Sequence, residues 1–191
     1  MKNPLRKRLP RELKGELGKY LVVFILMVAS IGFVSGFLVA DNSMLIAYNE
    51  GFEKYNIEDG NFRTAEQVHK TQREEIEALG VKLYDNYYVE EPLDNGSTMR
   101  FFKNRQQVDK VCLMKGELPA GTGEIAIDRM YADNNNLSVG DTLQSGKRTW
   151  KITGLVALSD YSCLFQNNND SMFDAVKFGV SVVTEEEFDS L

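Results

Sequence analysis

The chain has 191 residues, 22 Lys and Arg against 28 Asp and Glu, and a formal net charge of -6. Hydrophobic residues at 43% and charged residues at 26% exclude a disordered or low-complexity chain and leave enough apolar material for a core. The charge is unevenly placed: residues 1–20 hold seven basic and two acidic groups, residues 21–40 none, and residues 41–191 a net of -11.

The basic head, residues 1–20, spaces Leu5, Leu9, Leu13 and Leu17 at i, i+4 intervals. Such a stripe fits an amphipathic segment on an anionic leaflet, and a solvated basic tail satisfies the same composition. Residues 21–40, LVVFILMVASIGFVSGFLVA, contain thirteen Leu, Ile, Val or Phe and no charge. A helix of that length is about 30 Å long, the thickness of a hydrocarbon core, and its insertion is favourable by roughly 4–8 kcal/mol before Gly and Ser penalties. A cleavable signal peptide is the competing reading. Its apolar region is shorter, and Leu38-Val39-Ala40 puts a bulky Leu where cleavage needs a small residue. The flanking charges place the N-terminus in the cytoplasm and residues 41–191 outside, giving a single-pass cell-membrane protein. Ala29, Gly32, Gly36 and Ala40 form a small-residue stripe suited to packing against membrane helices, although Gly is common in such helices anyway.

Helical spacing continues through Met44, Ala47, Tyr48 and Phe52, so residues 41–60 read as a stalk broken at Glu58-Asp59-Gly60-Asn61. Residues 61–191 then read as one outer domain. Thr64-x-x-Gln67 predicts a capped helix running to Leu79, with Gly80 as its stop. Strands are predicted at Val81–Tyr84, Tyr87–Glu90, Thr98–Phe102, Glu124–Asp128, Trp150–Thr153, Leu155–Ala157 and Phe178–Val183, with Asp94-Asn95-Gly96 as a tight turn. Arg129–Asn134 has room for one or two helical turns. Thr184-x-x-Glu187 opens a final helix that only four residues follow, as though the sequence were cut. The mixture is α+β.

Chemistry is sparse in the sequence. No phosphate loop occurs, so the chain is not expected to hydrolyse ATP. The single histidine, His69, reads as a solvated helix edge. Cys112 and Cys163 are either one disulfide closing a loop of about fifty residues or two free thiols. Scattered carboxylates nominate no acid–base pair, metal or cofactor, and the acidic body opposes a nucleic-acid partner.

Residues 115–128, KGELPAGTGEIAID, are followed by Tyr131-Ala132, Leu137-Ser-Val-Gly-Asp-Thr142 and Ile152-Thr-Gly-Leu155. With Leu158-Ser-Asp-Tyr-Ser162, Met172-Phe-Asp174 and Phe178-Gly-Val180, this succession resembles the extracytoplasmic domain of FtsX-like/MacB-like ABC transporter permeases. The resemblance extends over the whole chain. It implies a MacB-like α+β domain with a small β-rich subdomain at about residues 99–160. It also implies an N-terminal portion of a permease that relays the work of a cytoplasmic ABC ATPase to peptide, lipoprotein or cell-wall partners. Membrane lipid, the remaining permease helices or a second permease copy would complete the assembly, since the family carries at least three further membrane helices. The alternative is a self-standing bitopic binding or adaptor module without transport activity.

Overall fold

The computed structural model describes Arg8, Arg11, residues 14–167 and residues 169–191. Most of the amphipathic head expected over residues 1–20 lies outside the described residues. The chain divides into two compact units, one up to Glu50 and one comprising Gly51–Leu191.

The first unit is most of a single helix, α1, which spans Leu17–Tyr55 and has no buried residue. Its 39 residues correspond to roughly 58 Å, well beyond one bilayer crossing. Phe24, Ile31, Phe33, Phe37 and Leu38 are all more than 60% exposed, and they point in several directions around the axis. A helix that is apolar all round needs lipid or other helices as its surroundings. Within this stretch the hydroxyl of Ser30 donates to the Leu26 carbonyl at 2.8 Å, so its polar group is satisfied inside the helix.

The helix stops at Asn56, whose φ of 48° is left-handed, a conformation Asn tolerates better than most residues. The Ile57 N–H reaches back to the Phe52 carbonyl at 3.2 Å, the longer bond of a Schellman cap. The stop therefore comes just before the Glu58–Asn61 break expected from sequence.

The second helix is shorter than its capping pattern predicts. It spans Lys70–Glu77 (α2), and Gln72, not Gln67, closes the cap by accepting from the His69 N–H at 3.0 Å. Residue 64–69 backbone has no core beneath it, and α2 itself buries nothing, so propensity alone does not carry the first turns. The strand predicted at Val81–Tyr84 is irregular. Glu77 Oε1 accepts from the Leu83 N–H and Arg73 donates to the Leu83 carbonyl, so side chains occupy groups a partner strand would use.

Seven strands follow: β1 Tyr88–Pro92, β2 Thr98–Lys103, β3 Cys112–Gly116, β4 Glu124–Asp128, β5 Thr142–Ser145, β6 Arg148–Ala157 and β7 Phe178–Val183. They form one mixed sheet in the order β1-β2-β7-β4-β6-β3, with β5 also paired to β6. β1 and β2 are a hairpin, β2 runs parallel to β7, β7 antiparallel to β4, and β4 parallel to β6. The long strand β6 divides its other edge, β5 taking residues 148–151 and β3 residues 154–157. The sheet curls far enough for its ends to meet. The Asp94 N–H donates to the Gln144 carbonyl at 2.9 Å, and the Ser145 hydroxyl to the Pro92 carbonyl at 3.2 Å.

Two short helices complete this unit, Arg129–Asn134 (α3) and Glu185–Phe188 (α4). Asp128 caps α3 by accepting from Met130 and Tyr131, and Thr184 caps α4 by accepting from the Glu187 N–H, one half of the predicted capping box; the Glu187 carboxylate accepts from the Gly123 N–H at 3.1 Å instead. The core is built on Met99, Phe101, Ile125, Ile127, Tyr131, Trp150, Ile152, Val180 and Val182, all essentially inaccessible. Phe101 and Trp150 meet at 5.1 Å between ring centroids.

Gly116 and Gly154 are register partners where β3 crosses the end of β6. A Cβ on Gly154 would lie 2.4 Å from the Glu117 carbonyl oxygen, and one on Gly116 would lie 2.2 Å from that of Thr153. Both obstacles are backbone, which cannot rotate away. Gly154→Ala should therefore destabilise the domain by roughly 1–3 kcal/mol, read as a lower thermal unfolding midpoint of the full chain in detergent.

Candidate functional site

The residues that leave α1 do not drift into a free linker. The Lys110 N–H donates to the Tyr55 carbonyl at 2.9 Å, and the Asp109 N–H to the Asn56 carbonyl at 3.0 Å. Asn56 returns a side-chain bond to the Gln107 carbonyl at 2.6 Å, and the Tyr55 hydroxyl donates to Cys112 Sγ at 3.0 Å. All of these residues belong to the second unit. The helix end and the segment entering β3 are thus stitched together, Tyr55 and Asn56 on one side and Gln107, Asp109, Lys110 and Cys112 on the other.

Asp109 is the centre of the stitching. Only 1% exposed and held at a φ of 47°, it accepts from the Glu58 N–H at 3.1 Å and the Ser159 hydroxyl at 2.9 Å on the same oxygen. Its other oxygen lies 3.9 Å from Arg105, whose two terminal nitrogens grip Asp160 at 2.9 Å each. A bidentate fork of this kind is the strongest geometry open to an arginine. The Arg105 guanidinium also lies 5.0 Å from the Phe102 ring centre, while its buried Nε has no partner. Burial pushes the Glu58 carboxyl above the usual carboxylate range, and the charges of Asp109 and Asp160 act in the same direction.

The 3-10 turn Ser159–Tyr161 contributes one contact per residue. Ser159 holds Asp109 and Asp160 holds Arg105; the Tyr161 hydroxyl accepts from Arg100 at 2.5 Å. Arg100 sits in the middle of β2 and is 2% exposed. Its cross-strand partner Glu90 accepts from Nε at 2.9 Å and from Nη2, and the Gln166 carbonyl shares Nη2 at 2.8 Å. Three rings surround the charge, Tyr88 at 4.2 Å, Phe178 at 4.9 Å and Tyr161 at 5.7 Å. Burial pushes the Tyr161 phenol up, against the lowering pull of Arg100, so it stays a neutral acceptor.

Of these polar residues, Ser159, Asp160 and Tyr161 entered the sequence analysis only as part of the Leu158–Ser162 motif and Glu58 only as a helix break; Arg100, Arg105 and Asp109 were given no role. A charge inside the apolar run Met99–Phe102 was the one available signal for Arg100, and nothing local marks Asp109. The residues that were singled out stand apart. Ala29, Gly32, Gly36 and Ala40 lie on α1, exposed, and an added Cβ on either glycine would meet nothing within 4 Å. Cys112 is half-buried in β3 under Tyr55, Cys163 is exposed after the 3-10 turn, and both are free thiols. His69 caps α2 at the surface. Among the described residues no grouping of His, Cys, Asp and Glu has the form of a metal site. Two open hollows, of about 340 and 180 Å³, flank Arg148 at the β5–β6 turn and do not include the junction residues.

No family model, curated protein or solved structure matches the chain. One N-terminal apolar helix, long enough to span a bilayer, precedes a mixed-sheet α+β domain, an arrangement consistent with a bitopic membrane protein. The distinctive construction in that domain is a junction that fastens the helix end through Asp109, Arg105 and the Ser159–Tyr161 turn.

The junction gives a burial-dependent expectation. Asp160→Ala should cost roughly 3 kcal/mol, because it leaves the Arg105 guanidinium buried and uncompensated. Asp133→Ala, which breaks the exposed Arg129 pair, should cost less than about 0.5 kcal/mol. Denaturant unfolding of the two detergent-solubilised variants compares them directly.

Proposed function

We propose that this chain is the N-terminal portion of an ABC transporter permease of the FtsX/MacB type, a mechanical coupler and not a catalyst. In this reading the basic head faces the cytoplasm, α1 crosses the membrane, and the sheet domain stands outside. A separate cytoplasmic ATPase supplies the free energy. Movement of α1 reaches the sheet domain through the stitched junction, and the domain acts on peptide, lipoprotein or cell-wall partners. The small-residue stripe of Ala29, Gly32, Gly36 and Ala40 serves as a packing surface for further permease helices or a second copy.

The observation that carries the reading is the way α1 ends. A mere tether is served by a flexible linker, which transmits no displacement. Here the chain leaves the helix directly into paired backbone bonds and the buried Asp109 knot. The run of motifs from Lys115 to Val180 supports the same assignment through its resemblance to those permeases.

Two measurements test it. Cys163 is exposed, so a membrane-impermeant maleimide should label it in intact cells, whereas Cys163→Ser should remove that signal. Labelling only after lysis reverses the orientation. Affinity purification of the full reading frame should bring down an ATPase carrying a phosphate loop. A stable product with no ATPase bound favours the self-standing adaptor instead.

A further inference from the structure

Asn95-Gly96 is the one Asn-Gly pair in the chain, and it lies at the tip of the β1–β2 hairpin. Both residues are exposed, so water reaches them. Gly96 has a φ of 82°, and a Cβ there would meet nothing within 4 Å, so nothing crowds its nitrogen. Such a pair is chemically labile. The Gly96 nitrogen, once deprotonated, attacks Asn95 Cγ; a C–N bond forms, the bond to Nδ2 breaks, and ammonia leaves with the proton. Water then opens the five-membered imide at either carbonyl, giving an aspartyl or an isoaspartyl residue at position 95. One water is consumed for each ammonia released, and nothing is oxidised or reduced.

In the folded hairpin the atoms of that reaction are tied elsewhere. The Gly96 N–H donates to the Leu93 carbonyl at 2.9 Å. The Asn95 carboxamide belongs to a closed cycle of hydrogen bonds. Its Nδ2 donates to the Tyr131 hydroxyl at 3.0 Å, and Ser97 Oγ donates to its Oδ1 at 2.7 Å. With the Ser97 proton so used, Tyr131 is the donor in the 2.7 Å contact between the two hydroxyls, which closes the cycle. The Ser97 N–H also reaches Oδ1, at 3.1 Å, and a backbone donor fixes which way the carboxamide is turned. Each bond in a cycle of this kind polarises the next. Ser97 and Tyr131 are both buried, although Asn95 is not. To close the imide, Cγ has to leave the cycle and meet a nitrogen whose proton is held by Leu93.

We propose that Asn95 is a deamidation site guarded by the fold: the cycle through Tyr131 and Ser97 keeps it intact, and each opening of the hairpin tip exposes it to conversion. The accumulated product then records the time the tip has spent open. Conversion also changes the hairpin. The isoaspartyl form adds a main-chain methylene to a turn that sets the Pro92–Thr98 register and ties Asp94 to Gln144. A converted copy is therefore unable to rebuild the same hairpin end. The site does not depend on the permease assignment, since all of these contacts lie inside Gly51–Leu191.

Peptide mapping of the full chain in detergent tests it, with fragmentation placing the product at Asn95 and not at Asn86. At neutral pH the folded protein should convert at least about tenfold more slowly than the same protein unfolded in urea. Tyr131→Phe keeps the buried aromatic ring and removes the hydroxyl. Folded, and with its own unfolded rate as reference, it should convert about fivefold faster than wild type. Ser97→Ala, which breaks the cycle at another member, should do the same. Gly154→Ala strains the β3–β6 crossing and leaves the cycle alone, so it separates local opening from global unfolding. Its folded rate at Asn95 should match wild type. Equal rates in folded and unfolded wild type, no gain in either cycle variant, or a gain in Gly154→Ala comparable to theirs would each overturn the guarded site.

Discussion

A single guanidinium serving two carboxylates decides how the end of the long helix is held. Arg105 gives its fork to Asp160 and its remaining field to Asp109, and Asp109 in turn receives the backbone of Glu58. Each partner comes from a different stretch of chain, so the contact is worth little until all three are in place. Once assembled, it leaves residues 55–58 few alternatives, because the backbone bonds of Tyr55 and Asn56 point to the same segment. Surface ion pairs such as Lys70–Glu74 have no comparable consequence, being open to water and salt.

Arg100 does for the loop after the 3-10 turn what Arg105 does for the helix end. Its planar head stacks among Tyr88, Tyr161 and Phe178 while its nitrogens reach Glu90, Tyr161 and the Gln166 carbonyl. A lysine offers neither the flat face nor the divergent donors. The two arginines share the Ser159–Tyr161 turn, one through Asp160 and one through Tyr161, so the turn links the outer hairpin to the helix junction. That link is made entirely of side chains, which explains how a three-residue element can matter to both.

Much of the secondary structure was legible because its signals are local. Twenty residues without a charge marked the apolar part of α1, and β-branched runs marked β4, β6 and β7. Thr184 announced its helix by its own side chain, whereas Asp128 was read only as the end of a strand although it caps the helix that follows. The Thr64–Gln67 pattern predicted a start several residues too early, since the helix begins at Lys70 behind His69 and no buried face fixes its first turn. Strand order was hidden for another reason: pairing β2 with β7 joins residues some eighty positions apart, and no local pattern encodes it. The junction was hidden most deeply. A buried Asp or Arg looks like a solvated one until its partners are known; Arg105 and Asp109 carry no local motif, and the Leu158–Ser162 motif gave Asp160 no partner.

The place of β7 has a consequence for how the domain comes into being. β7 lies between β2 and β4, so before it arrives the hairpin β1–β2 has no ladder partner in the half built from β3 to β6, only the bonds that tie Glu91, Pro92 and Asp94 to β5. A chain emerging from a ribosome or a translocation pore therefore cannot complete the sheet until residue 183 has appeared. The long helix, made first, leads a domain whose sheet closes only once β7 has emerged, so its assembly depends on the order of emergence as well as on the strength of the finished contacts.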